Sequence, residues 1–336
     1  MITTRTPLRA SFVGGGTDLP SYYREHGGAV VSTALRLYVD VSVRQRPALG
    51  GPRYRLACGT HEEVDNLGAI EHPIVREALR MVGVDAPLDI VSHSDVPSGT
   101  GLGSSSSFAV GLLLALQRLV GRDPSPATLA RQAFELEVEI LAQPIGRQDQ
   151  TIAAFGGLRH IRFAQDERVD VGLAPAPRSC QDALEAGALL FYLGGQRRAG
   201  QLLRALSQPS QDQRERLRAI AGTCEAFAAC LARGGSLAEL GAILDETWQL
   251  KRRLSPGVSP PRVDAAYAAA RAAGAHGAKL LGAGGTGCLL ILAEPAAHGE
   301  IRRALGEFAE LPFRCAERGA QVLLEVEGEE GRDGGR

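Results

Sequence analysis

The alternation of apolar and polar residues predicts strands mixed with helices in the first half of the chain. Leu37, Val39, Val41 and Val43 recur with a period of two, which is typical of a strand with one buried face. The other elements predicted here are a strand at 88–92, a loop at 94–103, an apolar helix at 104–120 and a helix at 126–141 that ends before Pro144.

The second half follows a stretch without clear periodicity. This stretch, 165–182, contains Pro175 and Pro177 and is predicted to connect two lobes. The elements predicted beyond it are a strand at 188–193, helices at 212–233, 236–253 and 261–273, strands at 278–281 and 288–293, a helix near 295–309 and a strand near 320–326. Strands and helices that mix without regular βαβ alternation indicate an α+β fold.

A length of 336 residues suggests about two domains or lobes. We expect an N-terminal lobe at 1–170 and a C-terminal lobe at 171–326. The tail at 327–336 is rich in glycine and charge and has no apolar side chain, so it is predicted to be disordered.

The charge balance argues against some partners. The 37 basic and 38 acidic side chains give a formal charge of −1, whereas a dedicated nucleic-acid or anionic-membrane binder normally carries a basic excess. The N-terminus lacks a signal-peptide layout, and the longest apolar stretch, 108–116, is about half of a membrane span. Six cysteines and seven histidines show no metal-binding spacing. These observations predict a soluble, cytoplasmic protein with reduced thiols, no zinc site, no nucleic acid and no membrane.

Lysine is scarce, because only Lys251 and Lys279 occur among the basic residues. The pattern around both predicts exposed charges, one on a helix and one at a strand end. The sequence indicates no chemical step for either of them.

Three glycine-rich segments carry the candidate chemistry: GGGTD at 14–18, GTGLGSSSS at 99–107 and GAGGTG at 282–287. Glycine amides approach a ligand closely because they lack a Cβ atom. The second segment runs directly into a predicted helix, so free N–H groups and the positive helix end meet at a point suited to phosphate oxygens. Serine hydroxyls in the first turn suit a magnesium ion carried by a nucleotide. The alternative is a plain N-capped helix after a flexible turn.

Other nucleotide-binding signatures are missing. No segment reads GxxxxGK[ST], HRD or DFG, which argues against a Walker-type loop and a protein kinase. No GxGxxG lies at a strand-to-helix turn with an acidic partner about 20 residues later, which weakens a dinucleotide-binding interpretation.

In order and spacing, the three segments resemble the motifs of the GHMP small-molecule kinases, which include galactokinase and mevalonate kinase. PSGTGLGSS at 97–105 matches the family's phosphate-binding signature, KLLGAGG at 279–285 resembles its C-terminal motif, and TPLR through GGGTD at 6–18 matches its substrate-binding motif. The stretches RTPLRASFVGGGTDLP, PIGRQDQTIAAFGG and GAHGAKLLGAGGTG resemble the D-glycero-D-manno-heptose 7-phosphate kinase branch. The resemblance implies a two-lobed GHMP kinase fold, with a ribosomal-S5-domain-2-like N-terminal lobe and a ferredoxin-like C-terminal lobe with extra helices.

The resemblance also implies catalytic residues. Asp149 matches the family's catalytic aspartate, which accepts or orients the proton of the attacking hydroxyl. Arg9 matches the arginine that stabilises negative charge during transfer. Outside the family context, Asp149 would be an aspartate in a polar turn and Arg9 a surface arginine.

ATP and Mg²⁺ are the implied cofactors. The residues expected to bind ATP are Pro97, Gly99, Gly101, Leu102, Gly103, Ser104, Ser105 and Ser106. Glu135 and Glu139 share one helix face and Glu137 opposes them. Glu137 falls where the family carries its magnesium-binding glutamate, so we expect Glu137 and Ser105 to bind the metal, with Ser104 as the second choice of serine.

The residues expected to bind the sugar are Gly15, Gly16, Thr17, Asp18, Arg197, Gly284 and Gly285. Asp18 can accept two hydroxyl hydrogen bonds, or it can cap a helix that begins near Leu19. A distal phosphate on the sugar needs a cation, for which Arg197, Arg24 and Arg147 remain open alternatives. Thr286 stands where the branch usually has glycine, which requires a negative φ.

The implied activity is phosphorylation of the anomeric hydroxyl of D-glycero-D-manno-heptose 7-phosphate to the 1,7-bisphosphate. The implied partners are a sugar phosphate and ATP, and a homodimer is compatible with the family. A second hypothesis is another sugar 1-kinase, for galactose, fucose or a related sugar. A third is a non-catalytic sugar-binding regulator, although none of the expected catalytic residues is missing.

Overall fold

The computed structural model describes residues 1–195, 202, 204, 206 and 208–326. Its larger sheet runs in the order β12-β1-β2-β5-β3-β4, and β6 joins it by pairing with β2 and with β7. The strands of this sheet are β1 (Ile2–Val13), β2 (Gly28–Gln45), β3 (Tyr54–Ala57), β4 (His61–Val64), β5 (Leu88–Ser94), β6 (Leu158–Phe163), β7 (Val169–Leu173) and β12 (Gln321–Glu325). The β3–β5 pair is parallel and the other pairs are antiparallel.

A second, four-stranded antiparallel sheet runs in the order β11-β8-β10-β9. Its strands are β8 (Ala188–Tyr192), β9 (Gly277–Leu280), β10 (Cys288–Leu292) and β11 (Ala309–Leu311). β10 is buried along its whole length, which accounts for its continuous apolar sequence.

The helices are α1 (Pro20–His26), α2 (Pro73–Val82), α3 (Ser104–Leu119), α4 (Pro126–Phe134), α5 (Gln148–Phe155), α6 (Arg178–Gly187), α7 (Gln211–Ala232), α8 (Leu237–Lys251), α9 (Pro261–Ala272) and α10 (His298–Ala304). Short 3₁₀ turns lie at Leu67–Ala69 and Pro295–Ala297, and a π-helical turn at Glu135–Ile140 extends α4. None of the described helices is long and apolar enough to cross a membrane.

The main core lies around α3. Its residues from Ser106 to Gln117 are all buried, because the helix packs on β1 and β2 and is covered by α2, α4 and α5. A helix buried on nearly every side needs an apolar sequence without a polar face. The consequence for the site is that this packing holds the N-terminus of α3 in place.

The predicted elements occur in the predicted order, with three corrections. The helix predicted near 295–309 ends at Ala304, and β11 begins at Ala309. The expected connection at 165–182 contains β7, a short strand in which Val169 and Val171 are half-buried and the other residues are exposed, and the start of α6. The strand predicted around 37–43 belongs to an 18-residue strand, β2. The division at residue 170 stays a prediction, but sheet pairing crosses it, because β12 pairs with β1. The predicted disordered tail lies outside the described residues.

Candidate active site

A cavity of about 620 Å³ lies where the three glycine-rich segments approach one another. A Cβ atom at Gly101 would lie 2.6 Å from the carbonyl oxygen of Leu281, and one at Gly287 would lie 2.6 Å from that of Thr100. The backbone N–H of Cys288 also donates to the carbonyl of Thr100, at 2.8 Å. Glycine is therefore required where the second and third segments touch.

The second segment forms a loop that delivers the N-terminus of α3 to the cavity. Gly103 is the N-cap residue, in left-handed conformation with φ of 78°, and offers no side chain to cap the helix. The first-turn N–H groups therefore remain suited to an anionic ligand. Of the residues expected to bind ATP, those that line the cavity are Gly99, Gly103, Ser104, Ser105 and Ser106; Pro97, Gly101 and Leu102 shape the loop from behind.

The serine run does not cap α3, contrary to one interpretation of the sequence. Ser105 Oγ and Ser106 Oγ donate to the two carboxylate oxygens of Glu137, at 2.8 and 2.7 Å. Ser107 Oγ donates to the carbonyl of Pro7 at 2.8 Å. The role of Ser106 as a second donor to Glu137 could not be predicted, since it depends on how α3 and the π-helical turn pack together.

Glu137 points inward from the π-helical turn and is buried, whereas Glu139 is exposed and Glu135 is half-buried. The prediction that Glu137 faces away from Glu135 and Glu139 is therefore confirmed. Gln150 Nε2 donates a third hydrogen bond to Glu137, at 2.8 Å. Burial raises the pKa of Glu137, and the hydrogen bonds from the two serines and Gln150 oppose that shift.

The oxygen donors around Glu137 fit a magnesium ion that arrives with a nucleotide. The described residues contain no group of three or more His, Cys, Asp or Glu side chains that could hold a metal alone. Mg²⁺ is commonly held by one or two protein oxygens together with substrate phosphates. Glu137 and Ser105 provide such a pair beside the N-terminus of α3.

Arg9 and Asp149 form a bidentate ion pair beside this helix end. Arg9 Nε and Nη2 donate to the two oxygens of Asp149 at 2.7 and 2.8 Å, and Arg9 Nη1 donates to the carbonyl of Gly101. The Arg9 side chain is 5% exposed and that of Asp149 is 22% exposed, so the carboxylate faces the cavity with the guanidinium behind it. A Cβ atom at Gly103 would lie 3.2 Å from Asp149 Oδ2, so the phosphate-binding loop abuts the pair.

Asp18 lies in the cavity wall and does not cap α1. The N-cap residue of α1 is Leu19, and the Asp18 carboxylate accepts hydrogen bonds from the N–H groups of Gly16, at 2.9 Å, and Gln148, at 3.4 Å. Burial, and secondarily the charge of Asp149, raise the pKa of Asp18. The contacts of Asp18 therefore link the first segment to the start of α5.

Three residues expected to bind the sugar do not line the cavity. Thr17 is fully buried, and its hydroxyl donates to the carbonyls of Gly14 and Ala29. Gly284 packs against Val258 so closely that a Cβ atom would lie 2.9 Å from its side chain, and the N–H of Gly285 donates to the carbonyl of the same residue. The three residues therefore shape the backbone, whereas Gly282 and Ala283 of the third segment line the cavity together with Gly15 and Gly16.

Thr286 avoids a positive φ, as expected for a residue with a Cβ atom at this position. It is not among the described non-glycine residues with positive φ, and its hydroxyl donates to the carbonyl of Gly194. The third segment therefore keeps its turn without a glycine at this position.

Two of the arginines considered for a distal phosphate lie elsewhere. Arg24 and Arg147 both pair with Glu167, and Arg147 also stacks over the rings of Tyr23 and Phe134. Neither lines the cavity. Arg197 lies outside the described residues, so its expected role is untested.

Both lysines are buried, which corrects the expectation of exposed charges. Lys251 lines the cavity and is 6% exposed, with Nζ donating to the carbonyl of Gly282. Lys279 is 1% exposed, with Nζ donating to the carbonyl of Ser11 at 2.6 Å. Local sequence gave no signal for this, because the cavity wall forms from segments distant in the chain.

Part of the cavity lining is apolar or aromatic and includes Val39, Cys58, His72, Ile74, Val96 and Phe108. The rings of His72 and Phe108 lie 5.2 Å apart, centroid to centroid. These side chains suit a flat, weakly polar ring.

Family models match both halves of the chain. The N-terminal domain of the GHMP kinases matches residues 69–157 and their C-terminal domain matches 225–311, together just over half of the chain. The chain belongs to the GHMP kinases. This membership makes the protein an ATP-dependent phosphotransferase.

Individual GHMP kinases resemble the chain over nearly its whole length. A D-glycero-alpha-D-manno-heptose 7-phosphate kinase of Campylobacter jejuni is 29% identical over 90% of this chain and 93% of its own. A bifunctional fucokinase/GDP-fucose pyrophosphorylase of Arabidopsis thaliana is 28% identical over 92% of this chain but only 31% of its own. The crystal structure of a D-glycero-D-manno-heptose 1-phosphate kinase from Bacteroides thetaiotaomicron superposes with a TM-score of 0.79 at 23% identity, covering 97% of this chain and 100% of that one. The expected two-lobed GHMP kinase fold is confirmed.

Proposed function

We propose that this GHMP kinase transfers the γ-phosphoryl group of ATP to the anomeric hydroxyl of D-glycero-D-manno-heptose 7-phosphate and releases the 1,7-bisphosphate. The observation that carries the proposal is the Arg9–Asp149 pair beside the uncapped N-terminus of α3. This arrangement places a proton acceptor next to the site suited to phosphate oxygens.

ATP would lie in the cavity, with its base against the apolar and aromatic side chains around Phe108 and its phosphates at the loop 99–107. The first-turn N–H groups of α3 and the glycine amides would hold the phosphate oxygens. Magnesium, when bound with ATP, neutralises phosphate charge. Glu137 and Ser105 are the residues that would hold it.

Asp149 would accept or orient the proton of the attacking hydroxyl. Arg9 occupies both carboxylate oxygens, which fixes the orientation of Asp149 toward the cavity. The same guanidinium lies close to the phosphate-binding loop and would stabilise negative charge that develops on the transferred group. Phosphoryl transfer needs this kind of positioning and electrostatic stabilisation more than covalent catalysis.

The substrate is proposed from the similarity to the Campylobacter heptose 7-phosphate kinase over almost the full chain. Asp18, Gly15 and Gly16 would contact the sugar hydroxyls in the same cavity. The fucokinase similarity favours a second candidate, a kinase for fucose, galactose or a related sugar without a phosphate. A non-catalytic regulator is disfavoured, because the geometry brings the expected catalytic side chains together.

The test is a coupled ADP-release assay with a panel of sugars, each offered with and without a terminal phosphate. We expect heptose 7-phosphate to give the highest kcat/KM, and phosphorus NMR to show a new phosphate on the anomeric oxygen. An unphosphorylated hexose as the best substrate would overturn the heptose proposal. A product that carries its new phosphate on another hydroxyl would overturn the proposed position of transfer.

A further inference from the structure

Glu137 is a buried carboxylate whose described partners are all neutral. It is 1% exposed and lies in the cavity wall. The groups that donate to it are the hydroxyls of Ser105 and Ser106 and the amide of Gln150. It forms no ion pair with an arginine, lysine or histidine in the described part of the chain. Because buried charges in proteins are normally paired or bound to a metal, the balancing charge of Glu137 is expected to come from a ligand.

The three donors are divided unequally between the two oxygens of this carboxylate. Ser106 Oγ and Gln150 Nε2 both donate to Oε2, at 2.7 and 2.8 Å, whereas Oε1 accepts from Ser105 Oγ, at 2.8 Å. Ser106 and Gln150 are buried, but Ser105 is exposed and lines the cavity. Each carboxylate oxygen can accept about two hydrogen bonds. Oε2 is therefore filled from the protein interior, and Oε1 is the oxygen that keeps room for a metal ion.

The two donors to Oε2 come from different helices. Ser106 lies in the first turn of α3, and Gln150 lies in the first turn of α5, next to Asp149. Glu137 itself lies in the π-helical turn that follows α4. A carboxylate oxygen accepts hydrogen bonds near the plane of its own group, so donors on two separate helices restrict rotation of that plane. These contacts tie the proposed metal ligand to the phosphate-binding helix end and to the helix that carries the proton acceptor.

We propose that Ser106 and Gln150 are positioning residues, which hold Oε2 of Glu137 and so present Oε1 to the Mg²⁺ that arrives with ATP. The inference rests on the proposed function, in which Glu137 and Ser105 hold the metal. It gives the hydroxyl of Ser106 a role toward Glu137, whereas the sequence predicted that Ser106 binds ATP. Residues that orient a metal ligand typically contribute about 10- to 100-fold to metal affinity.

The test measures how much Mg²⁺ tightens the binding of a non-hydrolysable ATP analogue. Calorimetry gives the dissociation constant of the analogue with Mg²⁺ and with EDTA, and the ratio of the two constants is the gain due to the metal. We expect Ser106→Ala and Gln150→Met each to reduce this gain by about tenfold, the lower end of the range for residues that orient a metal ligand. The constant measured with EDTA should stay near that of wild type, because the metal-free analogue does not need Glu137.

Matched control variants remove similar buried groups elsewhere. Ser32→Ala removes a buried hydroxyl that donates to the carbonyl of Ala10, at 2.9 Å. Gln117→Met removes a buried amide that donates to Gln132, at 2.6 Å, in the last turns of α3. Neither residue lines the cavity, so both variants should keep the wild-type gain from Mg²⁺. A gain that fell equally in the controls and in the test variants would overturn the positioning role.

Glu137→Gln separates failure of this inference from failure of the proposed function. If Glu137→Gln loses the gain while Ser106→Ala and Gln150→Met keep it, the positioning role is overturned and Glu137 remains a metal ligand. If Glu137→Gln keeps the gain, the proposed metal site itself is overturned. An equal loss of analogue affinity with Mg²⁺ and with EDTA in both test variants would show damage to the phosphate site as a whole, and would also overturn the positioning role. The sugar panel in wild type tests the proposed substrate independently of all these variants.

Discussion

The wall of the cavity formed by α3 and the π-helical turn buries a carboxylate, whereas the wall formed by the end of α8 and by β9 buries ammonium groups. On the first wall, Ser105 and Ser106 donate to Glu137. On the second, Lys251 and Lys279 donate to backbone carbonyls. Hydrogen bonds hold each charged group in place, but burial still acts against the charged form of both Glu137 and Lys279.

This contrast gives the two walls of the cavity opposite electrostatic preferences. A wall that buries a carboxylate favours a cation, and Glu137 and Ser105 are the residues that would hold Mg²⁺ in the proposed function. An anion near the second wall would stabilise the protonated forms of its lysines. The Arg9–Asp149 pair combines both signs in one bidentate contact, as expected where the phosphoryl group would be transferred.

Replacing Asp149 tests the pair itself and should have the largest effect. Asp149→Asn keeps the shape of the side chain but removes the proton acceptor, so we expect kcat to fall about 10²- to 10⁴-fold. Dissociation constants for ATP and sugar, measured by calorimetry, should change little. Asp65→Asn, which changes an exposed aspartate, is the matched control. Near-normal turnover in Asp149→Asn would remove this carboxylate from the transfer step.

Replacing Glu137 tests the negative wall. Glu137→Gln removes the charge proposed to hold Mg²⁺, so we expect the Mg²⁺ concentration for half-maximal rate to rise about tenfold or more, the scale of losing one charged ligand contact. Glu139→Gln changes an exposed glutamate of the same π-helical turn and should leave the titration unchanged. If the two variants gave the same Mg²⁺ titration, Glu137 would have a structural role only.

The negative wall could be predicted from the sequence to a large extent, and the positive wall could not. The loop 99–107 and α3 are contiguous in the chain, so the phosphate-binding helix end follows from local sequence. The choice of Glu137 over Glu135 and Glu139 also needed only helix geometry and the family motif. Gly284 and Gly285 were expected to touch the sugar. In the structure, the backbone at these two positions lies close to Val258 instead.

The lysines were missed because their burial is set by tertiary structure. Lys251 ends α8 and Lys279 lies in β9, and both meet the first segment, which is more than 200 residues away in the chain. The apolar positions around each residue are equally compatible with a solvent-exposed charge. No local periodicity distinguishes a lysine that reaches solvent from one that reaches a cavity.

Replacing Lys279 tests the positive wall with the smallest expected effect. The folded state lowers the pKa of Lys279 below that of the unfolded chain. Between these two pKa values the unfolded chain binds more protons, so this lysine makes the free energy of unfolding rise with pH, by at most about 1.4 kcal/mol per pH unit. Lys279→Met removes that contribution and should flatten the dependence, as measured by urea denaturation between pH 7 and 9.

The comparison must be made as a difference between variant and wild type. Cys224 and Cys288 have pKa values raised by burial to about 12, so in the alkaline range their thiols ionise in the unfolded chain before the folded one. They lower the free energy of unfolding as pH rises, in both proteins. At pH 7 the net change in stability should be small, because the variant loses the hydrogen bond to Ser11, about 1 kcal/mol, while it avoids burying an amine. Parallel pH profiles for the two proteins would show that Lys279 is protonated to the same extent in the folded and unfolded states, and that the second wall does not disfavour positive charge.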